Sequence, residues 1–361
     1  MEKVKLNELA NIYLGVTHTP EYVLEGVPFL SVKDISGGKI CFDDCKYISQ
    51  EEYDSLSEGA KPKVGDMLFC RVGTLGKPII IPEGTPLFGS FVSLGYLRNR
   101  NSDRCDLNYL RYWMYSNSFW KQVNANVKGA SQINLNTGWL SKFYIDLPGI
   151  AEQRYRISVL DKCKSVIEER EAELAALDDL IKARFVELFG DRYVNDKNWN
   201  TMKLGDSISF NNGKAHEQVV DENGQYILVT SRAIASDFKD VRRTNELLFP
   251  LHKNDIVMVM SDVPNGKALA KCQLIEENNK YTLNQRICSF DNYNYNPVFL
   301  LFLLSRHPYF LSFNDGNGQT NLRKNDILDC ELIDPPVKLQ EQFADFVKQV
   351  DKSKVAVLKI F

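Results

Sequence analysis

Leu160, Ile167, Leu174, Ile181 and Leu188 recur at every seventh position through the stretch 152–190. Leu177 and Phe185 widen this line into a stripe, and Glu, Lys, Arg and Asp fill most of the positions between. The 38 residues before Gly190 contain neither proline nor glycine. Seven-residue apolar spacing on good helix formers predicts a helix with a seam that needs a partner. At ~1.5 Å per residue this helix would be roughly 55–60 Å long, well beyond the usual length in a globular domain. Pro148 and Gly149 punctuate its start, and Gly190 suits a left-handed cap at its end.

The segment 1–149 has a different rhythm. Short apolar or alternating runs, such as Val27–Val32, Met67–Val72, Pro78–Ile81 and Ser90–Tyr96, are separated by glycine-rich or polar turns. Asn108–Tyr115 has helical character, and Phe143–Leu147 closes the segment as a strand. Short strands, one or two helices and close turns predict a mixed α/β domain rich in antiparallel strands.

After a polar link ending in Trp199 the pattern starts again, offset by about 190 residues. Leu30–Ile35 matches Val229–Ile234, and Gly65–Phe69 matches Asn254–Met258. Gly76-Lys77 matches Gly266-Lys267, and Ala130–Leu135 resembles Gly318–Leu322. Ile145–Pro148 matches Ile333–Pro336, and Glu152-Gln153 matches Glu341-Gln342. The order is kept throughout, which marks an internal duplication. A second helix begins near Leu339 and carries Phe343, Val350 and Val357 at seven-residue spacing. The class expected is α+β. Domains at 1–149 and 197–336 are joined by helices at 150–190 and 337–361 that pack as an antiparallel coiled coil, with a pseudo-two-fold internal repeat. The shorter second helix is expected to leave Leu174, Ile181 and Leu188 uncovered as a partner surface.

Composition then removes possibilities. Net charge is −3 over 361 residues, which argues against a large non-specific nucleic-acid surface but allows basic clefts. The eight cysteines are scattered, and the four histidines (18, 216, 252, 307) have no ligand at metal spacing. No metal site, Walker loop, His-Glu-x-x-His or Gly-x-Ser-x-Gly pattern occurs, so no self-contained active site is expected. No apolar leader or membrane-length run is seen, which places the chain in the cytoplasm as an expectation.

Paired domains on a rod suit a long ligand with two separated sites, and duplex DNA is such a ligand. Candidate readers fall in the turns of both repeats: Lys33, Arg71, Lys77, Lys128, Gln132 and Asn134 in the first, and Arg232, Lys267, Gln319, Asn321, Arg323 and Lys324 in the second. Arginine reads guanine, and asparagine or glutamine reads adenine, on the major-groove edge.

Taken in order, these features resemble the DNA-specificity (S) subunits of type I restriction-modification enzymes. They are Lys203–Asp206 after Trp199, Gly65-Asp66, Gly76-Lys77, the Gln132 and Gln319 loops, Pro148 before Glu152-Gln153, Pro336 before Glu341-Gln342, and Phe185–Asp191. The resemblance spans nearly the whole chain. It implies two target recognition domains, each reading half of a bipartite site, with the helices setting the gap. It implies docking of methyltransferase (M) subunits, which use S-adenosylmethionine. It also implies restriction (R) subunits, which use ATP and magnesium. The chain itself would then be non-catalytic and bind no cofactor. Two variants remain open: the recognition portion of a single-chain restriction-methyltransferase, and an inactive or cassette-donor copy. The second follows from the short second helix, which departs from the family pattern.

Overall fold

The computed structural model describes the chain except residues 127–133, 192–193, 217, 264–265, 317 and 360–361. It divides into two compact units, Met1–Glu168 and Glu169–Phe361. A single helix of 40 residues, Ile150–Phe189, runs through the division. The C-terminal helix, Val337–Leu358, has 22 residues.

In chain order the strands of the first unit are β1 (Glu2–Lys5), β2 (Ala10–Leu14), β3 (Tyr22–Val23), β4 (Val27–Leu30), β5 (Lys46–Ile48), β6 (Met67–Cys70), β7 (Gly76–Ile80), β8 (Gly89–Ser90), β9 (Leu94–Asn99) and β10 (Tyr144–Leu147). One sheet has the order β2-β9-β6-β7 and a second has β3-β5-β4-β8, while β1 pairs with β10. The β4–β8 pair is parallel and the others are antiparallel. β6 is buried on both faces, so its side chains divide by the two-residue period of a strand. Met67 and Phe69 join a core with Leu110 and Phe119, whereas Leu68 and Cys70 join another with Leu94 and Tyr96.

In the second unit the strands are β11 (Thr201–Lys203), β12 (Ser209–Asn212), β13 (Tyr226–Val229), β14 (Arg242–Thr244), β15 (Ile256–Val259), β16 (Ser261–Asp262), β17 (Cys272–Leu274), β18 (Tyr281–Leu283), β19 (Ile287–Asp291), β20 (Thr320–Asn321) and β21 (Glu331–Ile333). The order β12-β19-β15-β17 repeats that of the first unit, β13 and β18 repeat its parallel pair, and β11 pairs with β21. The duplication holds to single atoms. Asp66 accepts the Lys63 N–H at 2.8 Å, and Asp255 accepts the His252 N–H at 2.8 Å. The residues before them, Gly65 and Asn254, both take positive φ.

Two expected correspondences change. The β6–β7 register shifts between Leu68 and Cys70 whereas β15–β17 runs without a shift, so Lys77 has no single counterpart on β17, and Lys267 lies in the loop before that strand. Gln153 corresponds to Gln340, not Gln342. Gln153 is fully buried, accepts the Asp106 N–H at 3.0 Å and donates to the Pro148 carbonyl at 2.8 Å. Gln340, 1% exposed, accepts the Asn296 N–H and donates to the Pro335 carbonyl, both at 2.8 Å. Each glutamine ties the start of its helix to the N-cap of a domain helix, because Asp106 and Asn296 cap Leu107–Tyr115 and Pro297–Leu304.

The helix seam also differs from expectation. Within the second unit the C-terminal helix runs antiparallel to the end of the long helix. Phe343 packs on Phe185 and Phe189 with ring centroids 5.4 and 5.8 Å apart, and Lys354 reaches back to Asp178 at 2.6 Å. Ile181 is buried, Leu174 is half-buried, and half-buried Leu177 and Leu188 pack on the core, so the residues expected to be uncovered are the covered ones. Gln340 fixes the start of the C-terminal helix in the second unit, and this directs its seam onto the last turns of the long helix. Phe343, Val350 and Val357 are buried as the spacing implied. The exposed seam residues are Leu160 at 41% and Ile167 at 45%.

Candidate nucleic-acid interface

In the second unit a short ladder builds the candidate site. β16 and β20 pair Ser261 with Asn321 and Asp262 with Thr320. This brings the loop after Asp262, which carries Lys267, beside the loop that carries Gln319. Asp262 shapes its own loop, since its carboxylate accepts the N–H groups of Val263, Ala268 and Leu269 at 2.9, 2.7 and 3.1 Å. Gln319 donates from Nε2 to Ser261 Oγ at 2.6 Å. Gln319, Asn321 and Arg323 line one polar cleft with Asp315 and Asp326. Lys324 lies just beyond, its Nζ 5.4 Å from the Phe210 ring centroid, and Lys267 is exposed. Amides and guanidinium on adjacent loops are the groups that read base edges. Arg232 is held elsewhere, in the short helix Ser231–Ala235 after β13, in an ion pair with Asp240 at 2.6 Å.

The first unit anchors its corresponding loop differently. Arg71 is 7% exposed; its Nε donates to the Leu135 carbonyl at 3.0 Å and its Nη1 to the Val92 carbonyl at 2.6 Å. Burial lowers its pKa, and the two carbonyls hold the guanidinium. Arg71 is thus an internal brace and is corrected from a DNA-contacting residue, because it is buried with two of its N–H groups held by backbone carbonyls. The brace sets the backbone next to Asn134, which is exposed. Ser93 joins the parts: its carbonyl accepts the Arg71 N–H at 2.9 Å and its hydroxyl accepts the Val32 N–H at 3.1 Å. Lys33, next to Val32, donates to the Asp44 carbonyl at 2.7 Å. Lys77 is half-buried with φ of 50°, opening β7. Lys128 and Gln132 lie outside the described residues.

Sequence reasoning missed Asp262, Ser93 and the glutamine Gln340. An acidic residue followed by Val-Pro-Asn-Gly was the available signal for Asp262, since such side chains bond local backbone N–H groups. No signal in one sequence marks Ser93, whose role comes from a contact 61 residues away.

Among the described residues no group of three or more His, Cys, Asp or Glu could hold a metal ion, and no helix is long and apolar enough to cross a membrane. All eight cysteines are free thiols, and burial pushes Cys105 and Cys330 up to about 12.

Residues 196–359 match the family model of the type I restriction modification DNA specificity domain. The fold is similar to the crystal structure of a type I restriction-modification system S subunit from M. genitalium. That match has 13% identity and a TM-score of 0.57, covering 99% of this chain and 91% of the other. A second similar chain, at 14% identity and a TM-score of 0.57, covers 99% of this chain and is 92% covered. It comes from work on complex assembly and conformational transition of the type I R-M system. No curated protein sequence matches the chain.

Proposed function

We propose that the chain is a DNA-specificity (S) subunit of a type I restriction-modification system, a reading supported by the specificity-domain match over residues 196–359 and by the similar fold. It is the DNA-recognition subunit of such a system. The observation that carries the finer reading is the duplication, with the same strand order and the same capping atoms in both units. Each unit reads one half of a bipartite target. The ladder β16–β20 presents Gln319, Asn321 and Arg323 to base edges, while Lys267 and Lys324 contact phosphates. Phosphate contacts set register and base-edge contacts set sequence. In the first unit Arg71 holds the loop carrying Asn134, and Lys33 and Lys77 supply phosphate contacts.

The chain performs no chemistry itself. Methyltransferase subunits dock on the helices and supply S-adenosylmethionine chemistry; the target adenine leaves the stack into that subunit's pocket. Restriction subunits supply the ATP- and magnesium-dependent steps. The exposed Val159, Leu160, Val166 and Ile167 on the first half of the long helix support docking there. The test is base-resolved adenine methylation in cells carrying the chain with its methyltransferase subunit. A bipartite motif that disappears on deletion of the chain is expected. Methylation unchanged by the deletion would sink the reading.

A further inference from the structure

The two repeats differ in charge at the half-buried position beside one buried carboxylate. In the first unit Asp66 receives a guanidinium in bidentate fashion: Arg98 Nε donates to Oδ1 at 2.9 Å and Nη2 to Oδ2 at 2.8 Å. Arg98 follows Leu97, which faces Met67. In the second unit Phe290 faces Ile256, so the residue in the place of Arg98 is Asp291. Asp255, the counterpart of Asp66, is 7% exposed and has no guanidinium among the described residues. The exposed His252 imidazole approaches it, with Nδ1 3.9 Å away, and Lys253 lines the same cavity. A carboxylate that the fold pairs with arginine in one repeat thus faces a second carboxylate in the other.

A cavity of about 510 Å³ opens on this pair, lined by His252, Asp255, Asp291, Tyr293 and Tyr295. Tyr295 is 5% exposed and its hydroxyl has no hydrogen-bond partner among the described residues. Asp291 accepts from Asn211 at 3.0 Å and Asn292 at 2.9 Å, which hold its carboxylate in place. Asn254 and Pro297 are shared with an adjoining groove whose apolar lining includes Leu274, Val298, Val347 and Val355. A planar donor fork matches a carboxylate better than a point charge does.

We propose that the Asp255–Asp291 cavity is a receptor for a guanidinium group, presented by an arginine of a partner protein whose apolar residues lie in the adjoining groove. The arginine takes the place that Arg98 fills in the first unit. The proposal goes beyond the DNA-reading role and holds independently of it.

The thermal midpoint of the full chain tests this with N-acetyl-arginine amide, N-acetyl-lysine amide and calcium chloride at matched millimolar concentrations. The same measurements are made on Asp291→Arg, which copies the first unit. The arginine amide is expected to raise the wild-type midpoint by about 2 °C or more over the lysine amide. Asp291→Arg is expected to melt higher than wild type and to lose this response. An equal response in both proteins, a larger shift with lysine or calcium, or no gain from Asp291→Arg overturns the proposal. Should Asp291→Arg fail to fold, Asp291→Asn keeps a side-chain oxygen for Asn211 while losing the charge, and an undiminished arginine response there is equally fatal. A peptide with arginine at the end of an apolar helical run, compared with free L-arginine, identifies the source. A larger shift with the peptide supports a protein partner; an equal or smaller one indicates a free guanidino compound and removes the partner from the proposal.

Discussion

Gln153 takes the Asp106 N–H and gives its amide protons to the Arg104 and Pro148 carbonyls from a site closed to solvent. Replacing it by leucine keeps the volume but leaves one donor and two acceptors facing an alkyl group. An unpaired buried group costs about 1–3 kcal/mol, so Gln153→Leu should destabilise the chain by about 2–4 kcal/mol in a urea titration. Gln340→Leu should do the same in the second unit, and a change below about 0.5 kcal/mol in either would show that solvent repairs the site. Asp255 gives a prediction of opposite character. Burial raises its pKa, and Asp291 adds to this while the His252 N–H and imidazole oppose it. Burial holds the Tyr293 and Tyr295 phenols above the ordinary tyrosine value, and Lys253 also borders the cavity. A folded-state pKa above the unfolded value stabilises the fold at low pH, and that contribution is lost as pH rises through the folded value. Wild type should therefore lose stability relative to Asp255→Asn as pH climbs from the ordinary carboxylate range toward neutrality. Parallel curves for the two proteins would show that Asp255 does not supply the term.

Among the elements, the two halves of the long helix ask for different tests. Ile181, Phe185 and Phe189 belong to the core of the second unit. Asp substitutions at Leu174 and Ile181 would thus damage folding and say little about docking. Phe185→Ala should cost about 3–5 kcal/mol. Leu160→Asp with Ile167→Asp changes exposed positions, so the chain should keep its midpoint within a few degrees yet lose co-purification with the methyltransferase subunit. Retained co-purification would move the docking surface elsewhere. The seven-residue spacing was legible because it is local and repeated. Which half of the seam is covered was not, because the answer rests on Gln340, a residue outside the apolar pattern that bonds Asn296 44 residues away. The same limit explains Arg71. In the sequence it is a loop arginine; only the approach of Leu135 and Val92 shows that its guanidinium is turned inward onto backbone carbonyls. The repeats Leu30–Ile35 with Val229–Ile234 and Gly65–Phe69 with Asn254–Met258 could be aligned early because buried strands and a positive-φ turn constrain residue type at each place. The turn after β6 could not, since its length differs between the repeats.

At the scale of the molecule the duplication separates two kinds of change. Strand order, the Asp66 and Asp255 turns and the two glutamine locks are the same in both units. The loops that carry the candidate readers are not: one is braced by Arg71, whereas the other is paired through β16–β20 and shaped by Asp262. A framework shared by both units can therefore accept new loops without new folding requirements. Replacing 261–269 and 313–323 together with the corresponding loops of a type I specificity subunit should alter one half of the methylated motif. The other half and the gap should stay as they were, because the remaining unit and the helices are unchanged. The two loops must move together, since the Ser261–Asn321 pairing and the Gln319 bond to Ser261 join them. Exchanging only one should weaken methylation without producing a new motif. If the joint exchange altered both halves of the motif, or the gap, the units would not read independently, and the one-unit, one-half-site assignment would have to be abandoned.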